Sequence, residues 1–234
     1  MKKIAVFGTG VVAQTISEKL SALGHQVMLG TRNVQETLAR ENKDNFGRPG
    51  FKEWSAQHQN IKVGTFADAA AFGELIVNAT NGSGALPALA LAGKDNLSGK
   101  VMLDISNPLD FSKGFPPSLT VCNTDSLGEQ IQSTYPDLKV VKSLNTMNAY
   151  IMVNPSFVPG DHPGFMSGND AAAKDTVKGI LNSFGWKDKN IMDVGDITSA
   201  RGVEMILPLW VRLYGALKHG TFNFHIAMGQ PPKM

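Results

Sequence analysis

Ile4-Ala5-Val6-Phe7-Gly8-Thr9-Gly10-Val11-Val12-Ala13 opens the chain with an apolar run that breaks into a glycine-rich turn. The apolar run predicts a buried strand. Gly8 permits a sharp turn after it. Gly10 has no Cβ, so a pyrophosphate can approach the main chain. Ala13 is the small third residue of the G-x-G-x-x-G/A pattern, where helix and strand pack closely. Val12, Ile16, Leu20 and Leu23 then recur at helical spacing, and Gly24 follows as the stop. The helix over 12–23 turns its free N–H groups and positive dipole end toward the phosphates. Gly8, Thr9, Gly10, Val11, Val12 and Ala13 are therefore the expected dinucleotide contacts.

The next strand, Gln26 to Leu29, closes a βαβ unit. A site built for NAD carries Asp or Glu near the end of this strand, to hold the ribose hydroxyls. This chain has Thr31-Arg32-Asn33 instead. A guanidinium holds a 2′-phosphate through two parallel charge-assisted bonds, and a Thr hydroxyl can donate a third. Thr31, Arg32 and Asn33 point to NADP as the cofactor.

Strand and helix patterns alternate through the following hundred or so residues. Ile61 to Val63, Leu75 to Ala79, Val101 to Ile105 and Lys139 to Ser143 read as further strands, with helices at 34–41, 51–58, 66–72, 85–92 and 126–134 and a loop over 42–50. This order predicts an α/β fold, a Rossmann-type doubly wound parallel sheet. Ligands of such sheets bind outside the carboxyl ends of the strands. The loops expected there hold Ala79-Thr80, Asn107, and Asn145 through Ala149, small or amide residues without a carboxylate. Ala79, Thr80, Asn107, Asn145 and Ala149 are expected contacts of an anionic, amide-bearing cofactor on this rim. Residues 151–234 read as a small C-terminal α/β domain that covers the nicotinamide end of a 1–150 nucleotide-binding domain. Its elements are strands at 165–170 and 191–195, a helix over 171–184, a long helix over 198–219 kinked at Pro208, and an edge strand in Phe222-Asn223-Phe224-His225-Ile226.

Composition narrows the partners. The 234 residues allow one large domain or two modest ones, and 42% hydrophobic residues supply a core. A net charge of +2 gives no footprint for nucleic acid or an anionic membrane. Cys122 is the single cysteine, which excludes an internal disulfide and suits a reducing, cytoplasmic setting. No stretch approaches the ~20 apolar residues of a membrane helix. The histidines show no metal-binding spacing, so no metal is expected.

Gly8-Thr9-Gly10, Gly30-Thr31-Arg32, Lys142-Ser143-Leu144-Asn145-Thr146, Ser167-Gly168-Asn169-Asp170 and the block Asp193-Val194-Gly195 through Ala200-Arg201 to Glu204 together carry a likeness. The chain resembles the NADPH-dependent oxidoreductases of the coenzyme F420 (8-hydroxy-5-deazaflavin) family, and the related cytosolic domain of the six-transmembrane ferric reductases. The resemblance covers nearly the whole chain. It implies NADP over Gly8 to Ala13, with Thr31 and Arg32 on the 2′-phosphate and the nicotinamide toward Ala79, Thr80, Asn107 and Ala149. It also implies a deazaflavin, flavin or similar small-molecule acceptor in the cleft between domains, and a homodimer. The chain departs from the archaeal deazaflavin reductases in a longer segment at 42–60 and in Asn145 to Ala149, where they carry a His- and Pro-containing stretch.

Hydride transfer between a nicotinamide and a flavin-like ring asks the protein to align two rings and exclude water. No catalytic side chain is therefore assigned. Arg201 and Glu204, three apart on a helix, are expected to pair with each other. Two further readings stand beside the reductase: a sensor of the NADPH/NADP ratio without turnover, and a reductase of a small carbonyl or imine.

Overall fold

Along the first strand, β1 (Lys3–Phe7), Ile4 and Val6 enter one apolar cluster, whereas Ala5 and Phe7 enter the other. Successive side chains of a strand point to opposite faces. Both faces are thus buried, which is why the sequence runs apolar without alternation. The computed structural model describes residues 1–43 and 47–230. The expected loop over 42–50 includes residues 44–46, which lie outside the described residues.

After β1 come α1 (Val11–Ala22), β2 (Gln26–Thr31), α2 (Val34–Ala39), α3 (Phe51–Gln57), β3 (Lys62–Thr65), α4 (Phe66–Phe72) and β4 (Leu75–Asn78). They are followed by α5 (Gly82–Ala92), α6 (Lys94–Leu97), β5 (Val101–Asp104), a hairpin of β6 (Leu109–Asp110) and β7 (Ser118–Leu119), α7 (Leu127–Thr134) and β8 (Lys139–Ser143). The chain continues through α8 (Ala149–Val153), β9 (Gly164–Gly168), α9 (Ala171–Phe184), β10 (Ile191–Asp193), α10 (Ala200–Met205) and α11 (Leu207–Leu217).

The main sheet has eight strands in the order β10-β9-β8-β5-β4-β1-β2-β3. Strands β3, β2, β1, β4, β5 and β8 run parallel, and β9 turns antiparallel to β8. The sheet is a Rossmann-type α/β sheet with helices on both faces. Ile16 and Leu20 of α1 and Val177 and Leu181 of α9 cover one face; Phe66 of α4, Leu89 of α5 and Ile131 of α7 cover the other. Each fully buried Leu, Ile or Phe in these layers contributes roughly 1.5–3 kcal/mol of transfer free energy.

Several elements differ from the sequence expectation. Among the described residues, the segment after residue 150 has no sheet of its own, because β9 and β10 extend the main sheet. Residues 222–226 form no strand; Asn223 is instead held to the ring of His162 and the carbonyl of Pro163. The long C-terminal helix is divided at Ile206, with Pro208 in the first turn of α11, because proline cannot donate into the preceding turn. The β6–β7 hairpin and the short α8 carry no periodic signal long enough to read.

Candidate functional site

Gly8 to Gly10 follow β1, Thr31 to Asn33 end or follow β2, Ala79 and Thr80 follow β4, Asn107 lies beyond β5, and Asn145 lies beyond β8. These strands are parallel, so the topology gathers all of these residues along one edge of the sheet.

The two glycines of the turn serve different needs. Gly8 has φ +107°, and a Cβ there would stand 2.8 Å from the Ala79 carbonyl oxygen. The fold itself requires that glycine. A Cβ on Gly10 would meet nothing within 4 Å. The fold itself leaves open space for a side chain at Gly10.

The same point marks the start of α1. Gly10 is its N-cap and offers no side-chain acceptor. Asn33, Thr65, Asn81, Ser126 and Asp170 each cap their own helices by accepting a backbone N–H. The first-turn N–H groups of α1 are left facing the open space over Gly10, a ready anion site. The turn is held from behind: the Thr9 carbonyl accepts from Gln14 Nε2 at 2.9 Å and from Arg40 Nη2 at 3.0 Å.

At the end of β2 the three expected residues separate in role. Thr31 is 8% exposed, and its hydroxyl is paired with that of Thr37 at 2.8 Å. Asn33 uses its side-chain oxygen to cap α2, accepting from the Glu36 N–H at 3.2 Å. Arg32 is exposed and makes no hydrogen bond or ion pair with another described residue. Among the described residues it is a cation of this loop without a partner.

Beyond β5 and β8, Asn107 and Asn145 pair with one another. Asn107 Nδ2 donates to the Asn145 carbonyl at 2.9 Å, and Asn145 Nδ2 donates to Asn107 Oδ1 at 2.9 Å and to the Val203 carbonyl at 3.1 Å. Asn145 is buried; Asn107 keeps partial exposure. Ala79 and Thr80 are half-buried, and Ala149 is buried at the start of α8.

Beneath this edge lies a buried ionic centre. Lys142 Nζ contacts Asp104 Oδ2 at 2.8 Å, Glu204 Oε1 at 2.8 Å and the Ser106 carbonyl at 2.5 Å. Burial alone would push the Lys142 ammonium down; the carboxylates of Asp104 and Glu204 outweigh it and hold its pKa above the ordinary lysine value. Asp104 also accepts from Asn78 Nδ2 at 2.8 Å and from the Ser106 hydroxyl at 2.7 Å. Glu204 reaches across to α7 and accepts from the N–H groups of Leu127 at 2.9 Å and Gly128 at 3.1 Å. The expected Arg201–Glu204 pair is not formed. Glu204 is taken by Lys142 and the α7 N-terminus, so Arg201 turns to Glu129, with Nε to Oε2 at 2.8 Å and Nη2 to Oε1 at 2.5 Å.

Two surface cavities lie apart from this edge. One of about 510 Å³ sits among Ser98, Lys139 and Asp170, at the opposite ends of the strands. The other, of about 270 Å³, sits among Pro155, His162 and Trp186.

The chain is similar over nearly its whole length to a solved structure from Arthrobacter sp. FB24, of a protein proposed to be an F420-dependent NADP reductase. The two are 53% identical, with a TM-score of 0.91, over 97% of this chain and 100% of the other. The chain belongs to the coenzyme F420-dependent NADP oxidoreductase family. The model of that family matches residues 3–108, from β1 to the end of the loop after β5. Metalloreductase STEAP3 of Rattus norvegicus is 26% identical over 213 residues. That match covers 89% of this chain and 38% of the rat protein, so the chain spans well under half the length of this relative. A reductive aminase from Aspergillus terreus, in complex with NADPH and ethyl levulinate, shares the fold alone: 14% identity and a TM-score of 0.60 over 93% of this chain and 63% of the other.

As a member of this family, the chain is an NADP-dependent oxidoreductase. Among the described residues no group of three or more His, Cys, Asp or Glu side chains is placed to hold a metal, and no helix is long and apolar enough to cross a membrane. The turn after β1 and the exposed Arg32 after β2 lie where the sequence places them, whereas the Lys142–Asp104–Glu204 centre was not read from it. The centre's signals were a carboxylate inside the otherwise apolar run Val101-Met102-Leu103-Asp104-Ile105 and a lysine, Lys142, inside the strand Lys139 to Ser143, because a charge in a buried strand requires a partner.

Proposed function

We propose that this reductase passes a hydride between NADPH and a deazaflavin or flavin along the carboxyl edge of the sheet. In this reading the pyrophosphate rests on Gly8, Thr9, Gly10, Val11, Val12 and Ala13. Arg32 takes the 2′-phosphate, with Thr31 and Asn33 shaping its loop. The nicotinamide end lies toward Ala79, Thr80, Asn107, Asn145 and Ala149. The acceptor enters between the 1–150 and 151–234 regions.

One observation supports this reading most strongly. The space over Gly10 is open, and the helix behind it lacks a side-chain cap. An anion there gains several N–H bonds and the positive end of the helix dipole. Bound NADPH supplies the hydride. The chain's own residues bind, orient and exclude water: α1 offsets the pyrophosphate charge, Arg32 selects the phosphorylated ribose, and the Asn107–Asn145 pair fixes the loops at the far end. Carbonyl or imine reduction would call for a proton donor beside the nicotinamide. Lys142, the lysine nearest that edge in sequence, is buried between two carboxylates. A flavin-like ring needs less help of that kind.

The homodimer belongs to the same proposal. Helix α11 buries only Leu207 and Val211 and leaves Leu209 53% and Leu217 47% exposed, an apolar face suited to a second copy. Light scattering reads that state directly.

A panel of acceptors under NADPH, followed by loss of reduced-nicotinamide absorbance, tests the activity. Turnover above background with a deazaflavin or flavin is expected. Tight NADPH binding without turnover on any deazaflavin, flavin or quinone would favour the sensor reading instead.

A further inference from the structure

Arg40 stands just past α2, exposed, and reaches back to the phosphate turn. Its Nη2 donates to the Thr9 carbonyl at 3.0 Å and lies 3.1 Å from the Thr9 hydroxyl. Its guanidinium sits 5.4 Å from the centroid of the Phe51 ring, which holds the side chain in one plane. No acidic side chain among the described residues pairs with it: Glu41, its neighbour in sequence, is bonded to Lys52 at 2.6 Å. Toward the described residues only Nη2 is engaged, so Nε and Nη1 keep donors to spare there. Arg32 is the other arginine of this rim without an acidic partner among the described residues. Two guanidinium groups without an acidic partner among the described residues flank the turn and the loop that follows β2. Such a pair suits a doubly charged phosphate, beyond the one bond by which Arg40 braces the turn.

We propose that Arg40 is a second specificity-determining cation of the cofactor site. It reaches the 2′-phosphate from the side of the turn, as Arg32 reaches it from the side of β2. This inference rests on the NADP reading of the site. Thr9 positions the group: a fork anchored by one nitrogen to the turn presents its other donors toward the adenosine end.

The test is calorimetric titration of the whole protein with NADPH, NADH and adenosine 2′,5′-bisphosphate. The wild type, Arg40→Ala, Arg40→Lys and Arg32→Ala are compared, and their thermal transitions are recorded as a check on folding. Arg40→Ala is expected to weaken NADPH and the bisphosphate about tenfold and NADH less than about twofold. Arg40→Lys, which keeps the charge and loses the fork, should recover part of that loss. Equal weakening of NADPH and NADH would overturn the proposal, since Arg40 would then serve only to brace the turn. Unchanged affinities would overturn it as well. If Arg32→Ala loses discrimination while Arg40→Ala keeps it, only this inference fails. If the wild type does not distinguish NADPH from NADH, the underlying cofactor reading fails with it.

Discussion

Helices α1 and α7 both start beside the carboxyl edge of the sheet, and they satisfy their first-turn N–H groups by different means. At α7 the anion is internal. Ser126 caps the helix, and Glu204 arrives from α10 to accept from Leu127 and Gly128. Lys142 then neutralises Glu204 within the core. At α1 no side chain fills that role, and the space over Gly10 stays open. One terminus is closed by the chain's own carboxylate and contributes to stability. The other is left open, and in the proposed reading it receives the cofactor's phosphates. The two functions should therefore separate under mutation.

The sharpest way to break this contrast is at Glu204. Glu204→Ala would leave the Lys142 ammonium short of one carboxylate and two α7 N–H groups without their acceptor. We expect a loss of about 3–5 kcal/mol of stability in chemical denaturation, the usual cost of removing one partner from a buried ion pair. A loss below about 1 kcal/mol would show that the centre is hydrated or dispensable. Gly10→Val should do the opposite. Dinucleotide affinity should fall by at least about a hundredfold, because the side chain would occupy the phosphate space. Stability should change by less than about 1 kcal/mol, since the Cβ meets no protein atom. Retained binding in a titration of that variant would remove the phosphates from the turn.

A smaller effect concerns pH. Lys142 is held above its ordinary value of 10.5 by Asp104 and Glu204 acting against burial. A raised pKa gives stability that is complete below the unfolded value and is lost as pH rises through the folded one. Denaturation midpoints should therefore hold steady up to the unfolded lysine range and fall beyond it. Glu204→Gln should bring that fall to lower pH, because one of the two carboxylates holding the proton is gone. An unchanged alkaline limb in Glu204→Gln would contradict the assignment of this shift.

The legible parts of the molecule were those set by local pattern. The strand, turn and helix at 4–23 could be read because apolar runs, glycines and helical spacing are short-range signals. The same holds for β2 and for Arg32, whose place is fixed by the turn that precedes it. What could not be read depends on long-range contact. Glu204 meets Leu127 across 77 positions of sequence, and Lys142 meets Asp104 across 38. No periodicity reports such pairs, so Arg201 and Glu204 were matched to each other as the nearest opposite charges. Position alone makes Thr31 a candidate phosphate donor; the hydroxyl of Thr37 in α2, which pairs with it, is not visible from position. Strands β9 and β10 looked like a separate unit because nothing local says which sheet a strand will join.

The central claim is that this terminus and this arginine select NADP. Titration of the wild type and Arg32→Ala with NADPH and NADH tests it most directly. The account predicts tighter binding of NADPH by the wild type, and a selective loss of about ten- to a hundredfold for NADPH in the variant, as expected for a lost charge-assisted bond. Equal losses for NADPH and NADH, or no preference in the wild type, would contradict it.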